Sequence, residues 1–328
     1  MNRIAVRIAV LCFWLAFAET LQADSPEVQT ARQYGAKGQV TLCVLDSNGH
    51  PVQDARINAG FYNPNQADLA IQGLTDTNGC FVAAGMPAED MNYSITKDGY
   101  YKTTGRYWFY RADRPCLQNG CWQPWNSTNV VVLKEHRNPM PMYAMKFEQP
   151  VPIRDEPVGF DLEVGDWVNP HGKGKQPDLL FTYKVNVRDY WNGSLELTIA
   201  FTKKLDGLYR AQKDTGSALG SVYEALLAGY QPEMRFAFET TTDKDLKVEK
   251  LGDSEYLIFR VRTEVDEQGN IVSARYGKIY GPIEFGVGKE HCIRFTYYLN
   301  PTANDRNLEF DTRRNLISQT GRKQVHVP

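Results

Sequence analysis

Excess charge of one sign is missing from this 328-residue sequence: 37 Lys and Arg stand against 39 Asp and Glu, for a formal net charge of −2. So balanced a chain offers no electrostatic footprint for nucleic acid. Histidine is scarce as well, and His50, His136, His171, His291 and His326 show no metal-ligand spacing. No paired CxxC motif is present. There is no Gly-x-Ser-x-Gly elbow for a hydrolase nucleophile, and Gly172-Lys173-Gly174-Lys175 has neither the spacing nor the hydroxyl of a phosphate-gripping loop. Past the first two dozen residues, no stretch approaches the roughly 20 apolar residues that a membrane-spanning helix needs. No catalytic motif stands out, and the sequence leans away from an enzyme without settling the point.

What is there begins with an address. Arg3 and Arg7 form a positive segment ahead of the apolar run Ile8 to Phe17, which is too short to span a bilayer. Ala16-Phe17-Ala18 and Leu21-Gln22-Ala23 both have the small-x-small spacing of a cleavage site, so residues 1–23 read as a signal peptide cut between 18 and 24. Leu11 before Cys12 argues against lipidation. The mature chain is therefore expected in the periplasm or outside the cell, with no transmembrane segment. Five of the six cysteines lie beyond the leader, and an oxidising compartment makes disulfides their default state. Cys116 and Cys121 bracket the turn-forming Leu117-Gln118-Asn119-Gly120 and are expected to close a small loop. Cys43 and Cys80 lie on separate predicted strands and are a second candidate pair, meeting across a core. Cys292 is left over.

Aromatic residues make up 12% of the chain, with 18 Tyr, which suits pleated faces that need cover. Val40, Leu42 and Val44 recur with a period of two, and Asp46-Ser47-Asn48-Gly49 then turns the chain. A second such turn, Asp76-Thr77-Asn78-Gly79, precedes Cys80-Phe81-Val82. Short strands at this spacing predict a β-sandwich over 36–134. The prolines of 135–142 predict a short extended linker, and 143–328 a second antiparallel β domain. Its strand candidates include Leu179 to Val187, Leu195 to Phe201, Tyr256 to Val265, Ile271 to Tyr280 and Ile293 to Leu299. Ser217 to Ala228 alone has a helical period, and an irregular segment is the alternative. The expected fold class is all-β, with a transthyretin-like or immunoglobulin-like sandwich followed by a larger antiparallel sandwich or jelly-roll-like unit.

Gly38-Gln39-Val40, Asp46 to Gly49, Pro51-Val52, Thr75 to Phe81 and Asp98-Gly99-Tyr100 together resemble the carboxypeptidase regulatory-like (transthyretin-like) domain, from Gly38 to Leu133. That resemblance implies an appended sandwich, not a catalytic unit. The chain departs from the pattern after Tyr101, where an insertion rich in aromatics and cysteine, Arg106 to Trp125, precedes the last strand. Phe160 to Gly165 with Trp167, and Thr296 to Asp311, resemble a group of uncharacterised secreted bacterial proteins, which implies a shared fold and no known activity.

Three constellations are candidate sites. Asp161, Glu163 and Asp166 are spaced to offer oxygens to calcium, although an acidic strand face is the simpler reading. Asn304 to Asn307 with Glu309 and Asp311 reads as a strand with a charged outer face. The insertion supplies Tyr107, Trp108, Tyr110, Trp122 and Trp125, rigid rings able to stack on a sugar or anchor a protein partner. Four consecutive aromatics, Tyr107 to Tyr110, cannot all face solvent on a strand, so at least two are expected to pack inward. The leading functional expectation is an exported, non-catalytic binding or scaffolding protein for a glycan or protein partner, with no cofactor beyond the calcium candidate. Two alternatives stand beside it: a secreted hydrolase acting on polysaccharide or peptide through the second domain, and a structural component of an envelope assembly.

Overall fold

The computed structural model describes residues 24–66, 69–113, 116–187, 192–241, 244–286, 292–318 and 325. The expected signal peptide, Cys12, His291 and His326 lie outside them. Within them the protein is an all-β sandwich protein with one helix, α1 (Pro26–Tyr34), and no helix among the described residues is long and apolar enough to cross a membrane. Sequence patterning had not flagged α1, yet its signals are local. Ser25 accepts the N–H of Val28 at the N-terminus, and Pro26 opens the first turn, where its missing N–H is harmless.

The first sandwich pairs two sheets. In one, β1 (Gly38–Leu45) lies between antiparallel β4 (Cys80–Gly85) and parallel β9 (Ser127–Val132). In the other, the order is β3 (Leu69–Leu74), β2 (Arg56–Phe61), β5 (Asp90–Thr96), β6 (Thr103–Trp108). A small hairpin, β7 (Leu117–Gln118) with β8 (Cys121–Trp122), closes one end. Strict alternation puts Val40, Leu42 and Val44 from β1 opposite Ile57, Ala59 and Phe61 from β2 in a single core. Each large side chain so buried stabilises the fold by about 1.5–3 kcal/mol relative to exposure.

Cys43 and Cys80 form a disulfide. The pairing agrees with expectation, but its place does not. The two residues face each other across β1 and β4, on the outer side of one sheet, instead of reaching across the core. The expected Cys116–Cys121 bond is absent, and both remain thiols. In the β7–β8 hairpin Gln118 faces Cys121, while Gln123 donates its N–H to the carbonyl of Cys116. The cysteines thus hold diagonal positions, roughly 7–8 Å apart in a regular ladder, beyond comfortable disulfide reach.

The second region is a larger pair of sheets. One runs β15 (Gly207–Gln212), β18 (Glu255–Val265), β19 (Ile271–Ile279), β21 (Cys292–Leu299), β10 (Met140–Pro150), β22 (Phe310–Asn315), with β20 (Glu284–Phe285) against β21. The other runs β12 (Asp166–Trp167), β11 (Pro157–Asp161), β13 (Leu179–Val187), β14 (Gly193–Ala200), β16 (Glu233–Thr241), β17 (Lys244–Glu249). Phe147, Phe160, Trp167, Phe181 and Phe295 pack edge-to-face or tilted between them.

Two expected elements differ. Residues 140–142, placed in the linker from their prolines, already belong to β10, and Asn138 and Arg137 are pinned by Glu309. Ser217 to Ala228 takes the irregular alternative and forms no helix. Instead Gly216 and Ala218 exchange backbone hydrogen bonds with Thr104 and Lys102, at the start of the outer edge of β6. Pairing with that strand outweighs a weak helical period, and it satisfies part of an otherwise exposed sheet edge.

Candidate functional site

The outer face of the β3–β2–β5–β6 sheet is polar and uncovered. On β2 the inward residues are Ile57, Ala59 and Phe61, so alternation turns Asn58 and Gly60 outward, and Tyr62, just past the strand's end, is exposed. On β6 it turns Thr104, Arg106 and Trp108 outward, and on β5 Asn92 and Ser94 lie opposite Arg106 and Thr104. At one end of this face three residues form a row across the strands. Asp90 faces Trp108 in the β5–β6 ladder, and Tyr62 donates its N–H to the Asp90 carbonyl on the other side. Tyr62 and Trp108 are 49% and 44% exposed.

Between these two rings lies an electrostatic misfit. Asp90 is only 6% exposed, and its Oδ1 has no hydrogen-bond partner. The nearest cation, Arg106, keeps its Nε 3.9 Å from Oδ2 and donates instead to Asn92 Oδ1 at 3.0 Å. Its guanidinium carbon lies 5.1 Å from the centre of the Trp108 ring. Burial therefore raises the Asp90 pKa, Arg106 opposes the shift, and Glu89 reinforces it. A buried polar atom left unsatisfied is costly, roughly 1–3 kcal/mol. Because Oδ1 is shielded from solvent, a ligand donor relieves it only when the side chains over it move aside. Gly60 adds a flat approach, because a side chain there would meet nothing within 4 Å.

Of the aromatic set read from the sequence, Trp108 alone stands on this face. Trp122 is a core residue, fully buried, with its indole N–H donating to the Pro87 carbonyl at 2.7 Å. Tyr107 turns inward, where its hydroxyl meets Ser127 and its ring packs edge-on against Phe109. Tyr110 donates to Asp24 and lies under Arg32. Trp125 is 45% exposed, but it sits on the turn whose Asn126 bonds Gln39 and Thr41 of β1, away from the row. Tyr62 and Asp90 escaped the sequence reading. The signal was available in alternation: Phe61 buried makes Tyr62 outward.

The acidic trio is not brought together as a ligand set. Asp161 accepts the N–H groups of Glu163, Val164, Lys175 and Gln176, and Asp166 accepts those of Trp167 and Lys173. A protein cation occupies the centre instead. Arg262 reaches Asp178 at 2.7 Å, Glu163 at 2.9 Å and Asp161 at 3.4 Å, and Arg275 adds a second contact to Glu163. No group of three His, Cys, Asp or Glu among the described residues is arranged to hold a metal. Arg262 lies about a hundred residues downstream of Asp161, so local spacing gave no hint of it.

Two further places bring charged or nucleophilic side chains together. A shallow concavity of about 530 Å³ lies over Glu196, Arg235 and Glu249. Arg235 bridges the two carboxylates at 2.7 and 2.8 Å and lowers the Glu196 pKa, the opposite of what a proton donor in glycoside cleavage requires. Elsewhere Lys278 donates to Ser221 Oγ at 2.8 Å, an activated-nucleophile geometry. Both residues are sealed, at 0% and 1% exposure, so no substrate reaches them as the protein stands. The Glu309 carboxylate, read from sequence as outward-facing, is also buried. It holds the joint between the sandwiches.

No family model matches the chain, and no curated protein matches its sequence. Solved structures that match include 3-chlorocatechol 1,2-dioxygenase from Rhodococcus opacus 1CP, at 15% identity over 32% of this chain, with a TM-score of 0.25. The chain spans 62% of that enzyme's length. Others are the shaft pilin SpaA from Lactobacillus rhamnosus GG (11% identity, 55% of this chain and 94% of that one, TM-score 0.23) and BcpA, the major pilin subunit of Bacillus cereus (11%, 79% and 95%, 0.24). Likeness of this extent carries no argument about activity or assembly.

Proposed function

We propose that this chain is an exported, non-catalytic carbohydrate-binding protein whose binding surface is the outer face of β2, β5 and β6. Residues 1–23 and the Cys43–Cys80 disulfide support an oxidising, extracytoplasmic setting. The turn motifs between Gly38 and Leu133 support a carboxypeptidase regulatory-like module as the carrier of the face. One observation carries the binding reading: a buried carboxylate oxygen without a partner, set between two exposed aromatic rings. Sugars offer both complements, hydroxyl donors for the oxygen and apolar C–H faces for the rings. Arg106 beside Trp108 disfavours a cationic ligand, which the same rings would otherwise attract.

A glycan array probed with the intact mature chain tests this. At least one glycan is expected to bind, and Tyr62→Ala and Trp108→Ala are each expected to weaken it roughly fivefold to tenfold, in line with loss of one stacking contact. Trp125→Ala serves as the control and leaves binding unchanged. All three side chains are about half exposed, so folding is not at issue. An array with no bound glycan, or binding untouched in the Tyr62→Ala/Trp108→Ala double variant, overturns the proposal.

A further inference from the structure

We infer that the ligand is a neutral, extended chain of equatorially linked pyranose rings lying across the strands, with alternate rings stacked on Tyr62 and Trp108 and a hydroxyl of the ring between them donating to Asp90. This rests on the carbohydrate reading above and narrows it.

Strand geometry sets the length. Asp90 and Trp108 face each other on the neighbouring strands β5 and β6, and Tyr62, the residue that follows β2, bonds the Asp90 carbonyl from the other side. Neighbouring strands lie about 4.8 Å apart, so the two rings are anchored roughly 10 Å from each other. One strand spacing is close to the advance of one ring in an extended, equatorially linked chain. A single sugar therefore cannot cover both aromatics, whereas the first and third rings of a trisaccharide can. An α-linked glucan coils, and its alternate rings leave the line that this row defines.

Charge sets the class. Asp90 Oδ1 lacks a donor and is shielded from solvent, and a hydroxyl group that enters as the side chains over it move aside supplies one without bringing charge. A uronate would meet the carboxylate of Asp90, with Glu89 next to it in sequence. An amino sugar would meet Arg106, already stacked near Trp108. Neutral rings avoid both conflicts. The adjoining row offers Asn92 and Arg106, fixed to each other by a 3.0 Å hydrogen bond, as a pre-ordered polar rim for hydroxyls. The sheet's own twist, about 20–25° per strand, turns the two platforms relative to each other. That favours a single chain free to rotate at its linkages.

Titration calorimetry of the intact mature chain with oligosaccharides of one to six rings tests the inference. The probes are the cello-, xylo- and N-acetylated chito-series, with malto-oligosaccharides as the α-linked comparison. In at least one equatorially linked series, affinity is expected to rise at least tenfold between two rings and three, then level off. Maltohexaose is expected to bind at least tenfold more weakly. Asp90→Ala, Tyr62→Ala and Trp108→Ala should each flatten the step at three rings. Suppose the array yields a bound glycan, yet affinity shows no step with length, or malto-oligosaccharides match the best series. The extended-chain inference is then wrong and the carbohydrate reading stands. A blank array removes both.

Discussion

Burying an ammonium group costs free energy that hydrogen bonds recover only in part. Lys278 is such a group. It is fully buried on β19, donates to Ser221 Oγ, and lies 4.9 and 5.5 Å from the Tyr298 and Tyr280 ring centres. Burial pushes its pKa down to about 7; Glu309 raises it and Lys134 lowers it further. The unfolded chain keeps the ordinary lysine value near 10.4, so between pH 7 and that value the unfolded state binds more protons. Stability therefore rises with pH across this window, and the penalty is full and constant below about pH 7. Urea unfolding is expected to show a gain of about 2 kcal/mol from pH 7 to pH 9 that Lys278→Met lacks. Equal pH slopes for the two proteins would show that the lysine is charged in the fold. Nothing in the sequence announced this residue: Lys278 sits in a strand that reads as half-polar, and only the packing of β19 against the joint buries it.

Individual strands were the most legible level. The period-two run of β1 placed Val40, Leu42 and Val44 inside as expected, because a strand with one buried face leaves its side chains no other choice of register. Legibility failed where elements are very short. The two-residue strands β7 and β8 have no period to read, which is why Trp122 passed for a surface ring and Cys116–Cys121 for a bond. The Cys43–Cys80 crosslink joins residues separated by 37 positions. Closing a loop of that length constrains the unfolded chain by about 4 kcal/mol in the chain-entropy picture, with 2–4 kcal/mol typical of measured cases. In the Cys43→Ala/Cys80→Ala variant, hydrogen exchange of the β1 and β2 amides is expected to report an opening free energy lower by that typical amount. Unchanged protection would mean that the packed core alone holds the first sandwich.

At the scale of the whole molecule, the two sandwiches meet around Glu309. Its Oε1 accepts the Tyr101 hydroxyl at 2.9 Å and the Arg137 N–H at 3.0 Å, while Oε2 accepts the Asn138 N–H at 2.8 Å. Beside it, Arg137 stacks on Tyr223 at 3.9 Å, and Lys134 donates to the Leu219 and Ser221 carbonyls. These partners are up to 208 residues apart in the chain, so no local pattern could reveal a joint where the prolines suggested a free linker. Glu309→Ala leaves the Tyr101 hydroxyl and two backbone N–H groups without acceptors in a buried place, at roughly 1–3 kcal/mol for each group that water fails to reach. Local opening of the joint by even 1.4 kcal/mol is tenfold in population, and trypsin cutting after the solvent-facing Arg137 reads that population directly. Cleavage there is expected to run at least tenfold faster in Glu309→Ala, with Glu309→Gln, which retains an acceptor, in between. If cleavage stays at the native rate, the sandwiches are held instead by the backbone pairing of Gly216 and Ala218 with β6, and the carboxylate merely fills its site.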